Sequence, residues 1–344
     1  MTVGAPLRRA RDLALDAERA GFDGLVVTEA GRTAYLTCVA AALSTGLELS
    51  TGIAVAFPRS PMITAQVAWE LADATDGRFR LGLGTQVRAH IERRYSATFE
   101  HPGPRLRDYV RAVRACFAAF SGESPLAYDG EYFHMSLLPA QWAPGPIAVP
   151  APPIDIAAVN HYMLEVAGEV ADGIHVHPLN HPIYVREVVL PSLATGAKRA
   201  GRDAAALHLT VPVFTAVGDT EAERHRLREM ARGQVAFYGS TPNYGFIFDL
   251  LDREGTTERL RERQKAGDIA GMIALIDDDL LNEFVLTGTF EDMAELVVDR
   301  YGGIADRVVF YFAAAAWAAD PESLVRWGEV AAGVRALTAG AGSS

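Results

Sequence analysis

The chain has 344 residues, 49% of them hydrophobic and 22% charged, with a formal net charge of -11. This composition excludes a disordered chain and supplies one large core, and α/β barrels reach this length as a single domain. The negative balance excludes a general nucleic-acid binder, which needs a basic face, while an anionic cofactor needs only a local nest of N–H groups or one arginine.

Strand and helix signals alternate along the chain. Val3-Gly4-Ala5 reads as a short first strand; Leu7, Ala10, Leu13, Ala14 and Ala17 then recur at helical spacing up to a stop at Gly21. Leu25-Val26-Val27 is an unbroken apolar run, the mark of a strand buried on both faces. A helix over 34–45 leads to a strand over Leu49–Ala56, and a helix over 63–74, closed by Asp76-Gly77, leads to a strand over Phe79–Leu83. A helix over 105–120 follows a polar loop. The stretch 121–153 is rich in Gly and Pro and reads as a hairpin, Leu126–Tyr128 with Glu131–Met135, before a proline-rich approach to the next strand.

The second half continues with strand Ile154–Val159, helix His161–Glu169, strand Gly173–Val176, helix Pro182–Ala200 and strand Leu207–Val217. Thr220 and Glu223 form a capping-box pattern. Residues 221–290 are mostly helical and too long for one barrel helix, so they read as an insertion after strand seven. The last strand is Arg307–Phe312, and Asp320-Pro321 marks a helix start. Eight strands with intervening helices predict a (β/α)8 TIM barrel, a single domain over 1–344.

In such a barrel the reacting groups sit at the C-terminal strand ends. Glu29 is the only carboxylate at a strand end in the first half, which speaks against two-carboxylate hydrolysis. Glu29 is either an acid/base or an ion-pair partner of Arg32 or Arg59. Gly52, Gly82, Gly84, Ala157 and Ala158 strip side chains from strand ends; they leave room for a flat ring or permit a bulge. His175 and His177 share one strand face, a metal-like spacing. Without further ligands on later strands they read instead as polar groups lining a pocket mouth, and no metal is expected. His90, His175 and His177 are candidate proton donors, because imidazole titrates near neutral pH.

Cys38 and Cys116 read as buried free thiols. The arginines at 8, 9 and 11 precede no apolar run, and no stretch suits a membrane span. A cytoplasmic enzyme acting on a small molecule, with no membrane or nucleic-acid partner, is therefore expected. Alanine-rich helices near the first strands (Ala40 to Ala42, Ala68, Ala72 and Ala74) suit close helix approach and a homodimer.

Several segments in order carry a resemblance: 20–24 leading to Glu29, 50–56 with 59–61, 77–84, 86–94, 166–173, 237–242 and 275–279. Together they resemble the bacterial-luciferase-like monooxygenase family, in particular its F420-dependent oxidoreductase branch. The resemblance implies a barrel with an insertion after strand seven and a deazaflavin, coenzyme F420, or alternatively FMN, over the strand ends. It implies a non-proline cis peptide at Gly52-Ile53, with Ala54 beside it, supporting the ring. Glu29 would face the ring. Gly84, Thr85 and Gln86 would touch the cofactor, and Ala157, Ala158, Val159 and Asn160 would approach its tail. The implied reaction is hydride transfer between F420 and a small organic substrate. The alternatives are a reduced-FMN-dependent monooxygenase and a cofactor-less barrel with a non-redox or binding role.

Overall fold

Parallel strands need crossover connections, and the amphipathic helices supply them. The computed structural model describes residues 1–341. Its strands are β1 Thr2–Val3, β2 Gly24–Val27, β3 Glu48–Thr51, β4 Ala54–Val55, β5 Phe79–Gly84, β6 Tyr128–Asp129, β7 His134–Met135, β8 Ile154–Ala158, β9 Gly173–Val176, β10 His208–Val217, β11 Val285–Gly288 and β12 Arg307–Phe310. Neighbours in the main sheet follow the order β1, β2, β3, β5, β8, β9, β10, with β12 on β10 and β4 on β5. All of these ladders are parallel. This is the expected eight-strand (β/α)8 path. Among the described residues no ladder joins β12 to β1. At the strand starts Arg307 of β12 instead pairs with Glu48 of β3, and the buried ammonium of Met1 donates to Gly24 O.

Four details differ from the sequence expectation. The strand expected over Leu49–Ala56 is two strands, β3 and β4, broken at 52–53. The loop after β5 holds a short helix, Arg88–Arg93, before the helix Pro102–Ser121. The helix expected over Pro182–Ala200 passes through a π-helical stretch at Val185–Val189, two residues before Pro191. Proline removes a backbone donor inside a helix, and a π-bulge is one way to absorb it. The insertion is not wholly helical: after Glu221–Gly239, Thr256–Lys265 and Asp278–Phe284 it ends in β11, which pairs with 214–217 of β10. The hairpin forms as β6 and β7, and the Thr220–Glu223 capping box closes in both directions.

The core fills the barrel and the layer beneath the helices, and both cysteines are buried and free. Inside the barrel, side chains stack in layers. Near the bottom Arg80 clamps Asp155 through two hydrogen bonds of 2.9 and 2.5 Å. Above it lies the ring of His175, against Gly52 and Gly82. Above that come Gly84, Ala157 and Ile53. Among the described residues no helix is long and apolar enough to cross a membrane.

Candidate active site

The break between β3 and β4 shapes the mouth. β3 pairs with β5 as far as Ser50 and Arg80, and β4 resumes at Ala54 and Leu83. Residues 51–53 therefore face only 81–82, a bulge of one extra residue. The Gly52–Ile53 peptide is cis, at the position the resemblance implied.

A bulge leaves ladder groups without partners, and buried polar groups need them. Two side-chain devices provide them. The Thr51 hydroxyl donates to Gly82 O at 2.7 Å and accepts from Gly82 N at 2.9 Å. On the other edge β2 has ended at Val27, and Glu29 and Arg59 take its place. Glu29 Oε2 accepts from Val55 N at 3.3 Å, while Arg59 donates to Val55 O at 2.9 Å. The two side chains bind each other through both carboxylate oxygens, at 2.7 and 3.1 Å. Arg59 also donates to the Thr33 hydroxyl and lies over the Tyr35 ring. The Glu29 side chain is 4% exposed. Of the two roles open to Glu29, the geometry supports the ion pair with Arg59, which pins the strand after the bulge.

The glycines serve this packing. A Cβ at Gly52 would meet Val26 and His175, and one at Gly82 would meet Thr51 O and His175. At Gly84 it would stand 2.7 Å from Ile53 Cδ1 and 2.8 Å from Cγ1. Of the two sequence readings, open room for a ring and a permitted bulge, the second describes these positions. The missing side chains seat Val26, His175 and Ile53 rather than leaving a void.

Among the ten residues expected at a cofactor, Gly52, Ile53, Thr85, Gln86, Ala157, Val159 and Asn160 are half-buried at the mouth. Ala54, Gly84 and Ala158 are buried behind them. Asn160 caps the helix His161–Val170, its Oδ1 accepting from Met163 N at 3.0 Å, so its side chain turns into the helix end.

The histidines separate. His90 is exposed on the short helix Arg88–Arg93. His175 does not line the mouth as expected. It is buried in the barrel, its Nε2 unpartnered and 3.7 Å from Asp155, and burial lowers its pKa. The cause is depth: Gly52 and Gly82 leave the space that its ring fills. His177 is half-buried at the top of β9, where Tyr238 and Tyr244 pack against it. His181 binds Ile247 O at 3.0 Å and ties the insertion to the barrel. Among the described residues no three of His, Cys, Asp and Glu converge as a metal site.

Tyr238, Tyr244, Tyr311 and Phe214 were not among the residues singled out from the sequence. They form an aromatic wall over the mouth. Tyr238 and Tyr311 join hydroxyls at 2.6 Å, and Phe214 stacks between Tyr238 and Phe312. Tyr311 stood at a strand end and Tyr238 in the segment 237–242; Phe214, inside strand seven, and Tyr244 carried no sequence signal.

The family model for luciferase-like monooxygenases matches residues 1–307. An uncharacterized protein of Mycobacterium tuberculosis (strain ATCC 25618 / H37Rv) is 40% identical over 310 residues, covering 90% of this chain and 91% of that one. The 5,10-methylenetetrahydromethanopterin reductase of Archaeoglobus fulgidus is 28% identical over 294 residues, with 82% of each chain covered. Among solved structures, the coenzyme F420 dependent tetrahydromethanopterin reductase of Methanopyrus kandleri superposes with a TM-score of 0.70 at 21% identity, over 90% of each chain. An FMN-bound type II Baeyer-Villiger monooxygenase of Pseudomonas putida superposes with a TM-score of 0.65 at 17% identity, over 95% of this chain and 93% of that one. A match over most of the chain, on a barrel of this architecture, places the protein: it belongs to the luciferase-like monooxygenase family and is an oxidoreductase of it.

Proposed function

We propose that the protein transfers a hydride between coenzyme F420 and a small organic substrate bound at the barrel mouth. The observation that carries this reading is the pinned bulge at 51–53. Thr51 replaces its lost ladder bonds, Glu29 and Arg59 hold Val55 of the strand just beyond it, and Gly84 seats Ile53 at the mouth opposite Ala157. Bulges of this kind beside a site re-aim a side chain, here Ile53. A planar ring would lie against Ile53, Ala157, Thr85 and Gln86, all half-buried and none of them charged. When bound, the deazaflavin supplies the redox chemistry. The chain's own part is to hold the bulge rigid, exclude water with the aromatic wall and orient the substrate. Val159 and Asn160, at the start of helix His161–Val170, would lie toward the tail. The F420 branch is favoured over FMN by the 28% identity to a methylenetetrahydromethanopterin reductase over most of both chains.

Titration of the full chain with F420 and, separately, with FMN tests this. Tight binding of F420 is expected. Binding of FMN alone, with a copurifying yellow flavin spectrum, would turn the reading to the monooxygenase. Binding of neither would turn it to a non-redox barrel.

The whole chain is proposed to act as one domain and to pair as a homodimer. Leu36 and Val39 on helix Ala34–Ala42 and Leu43 at its C-terminal cap stand exposed, as do Leu7 and Ile63. Two buried, unpaired thiols suit a reducing compartment, and the cytoplasm is the proposed location.

A further inference from the structure

The aromatic wall has a polar centre. His177 lies two residues beyond His175 and directly follows the last residue of β9, at the C-terminal end of the strand. Its ring centroid is 4.7 Å from that of Tyr238, edge to face, and 4.8 Å from that of Tyr244. Leu179 N donates to His177 Nδ1 at 3.0 Å. A backbone N–H can only donate, so Nδ1 accepts and the proton of the neutral ring sits on Nε2. Nε2 has no hydrogen-bond partner among the described residues, nor is it one of the buried unpartnered polar atoms. It is a donor without a protein acceptor, reached by solvent at the mouth.

The groups around it are uncharged. Burial pushes the His177 imidazole down to about 3 and the Tyr244 phenol up to about 12, and it raises Tyr238 and Tyr311 as well. Among the described residues no arginine lies over any of these rings. An anion placed against these rings would lose hydration with no arginine stacked on them to offset it.

We propose that His177 Nε2–H binds the carbonyl or hydroxyl oxygen of an uncharged substrate, and that the ring wall of Tyr238, Tyr244, Tyr311 and Phe214 selects against anionic ones. The inference rests on the oxidoreductase reading of the same mouth and names its substrate class. It concerns binding and orientation: no bond to hydrogen breaks at Nε2, and His177 is not the proton source.

The test uses two ring compounds of similar shape, cyclohexanone and cyclohexanecarboxylate. Each is titrated into the full chain by ligand-detected NMR, with and without F420, for the wild type, His177→Phe and His177→Gln. The ketone is expected to bind at least tenfold more tightly than the carboxylate. His177→Phe, which keeps a ring but removes the donor, should weaken the ketone up to about tenfold, the range of one hydrogen bond. His177→Gln, which restores an N–H, should recover part of the loss. Nitrogen-15 shifts of His177 should show a neutral ring protonated at Nε2, a readout independent of turnover. Preference for the carboxylate, no binding of the ketone, or unchanged ketone binding in His177→Phe at wild-type melting temperature would each overturn the inference. The F420 titration is read separately. F420 binding without ketone preference refutes the role of His177 alone. Ketone preference without F420 binding refutes the proposed cofactor and supports the wall.

Discussion

Replacing Gly84 by alanine separates a seat for Ile53 from an open space for a ring. The new Cβ would stand 2.7 Å from Ile53 Cδ1, 2.8 Å from Ile53 Cγ1 and 3.7 Å from Ala157 Cβ. Carbon contacts settle near 3.5–4.0 Å, so Ile53 must retreat by about 1 Å while Ala157 need not move. Gly84 is not among the glycines with positive φ, so alanine meets no backbone penalty. Ile53 is half-buried and can swing outward, which puts the cost at the low end of the about 1–3 kcal/mol of overpacking. In a chain of this length that is a melting shift of about 1–2 °C. The site should suffer more, because Ile53 is the side chain the bulge presents, and F420 affinity should fall about tenfold or further. The decisive measurement is a double-mutant cycle with Ile53→Ala, read by calorimetric titration and thermal melts. With Ile53 shortened, Gly84→Ala should cost little on either readout, giving a coupling of at least about 0.5 kcal/mol. An equal loss of affinity with and without Ile53 would mean that the added methyl meets the cofactor itself, and the packing argument would fail.

Glu29→Gln removes the charge opposite Arg59 and loosens the grip on Val55. Breaking a buried pair costs about 3–5 kcal/mol, and the partial exposure of Arg59 puts the expected loss at or below the lower figure. Melting temperature and cofactor affinity should fall together; intact stability with lost turnover would instead make Glu29 the reacting acid. Acid should destabilise the fold through His181, which burial holds down at about 4 against an ordinary 6.5. Between those values the unfolded chain binds a proton that the folded chain does not. Stability is therefore full above pH 6.5 and is lost as pH falls, by roughly 3 kcal/mol at pH 4. Urea midpoints for wild type and His181→Gln check this; parallel pH profiles would exclude His181 as the cause. Leu36→Glu with Leu43→Glu should convert the proposed dimer to a monomer in light scattering, and a wild type already monomeric at micromolar concentration refutes that interface.

The alternation of apolar runs and amphipathic helices made the barrel readable, because a strand buried on both faces leaves few other patterns. The bulge was half-readable. Gly52, Gly82 and Gly84 marked a place where backbones come close, but a glycine does not say what approaches it. The answer lay with Val26, Ile53 and His175, brought in by β2, the β3–β4 break and β9. Thr51 carried no signal at all: its hydroxyl matters only once the register of β3 on β5 slips by one residue. The aromatic wall escaped for a related reason, since Tyr238 and Tyr311 meet across 73 positions of sequence. The histidine pair shows the limit most sharply. Spacing i, i+2 assigned His175 and His177 to one face, and both were expected at the mouth. Two residues along a strand span about 6.6 Å, a full layer of barrel interior. One ring fills the gap left by two glycines beside Asp155, while the other meets the insertion. Sharing a face fixes direction but not depth, and depth is set by which neighbouring strands omit a side chain.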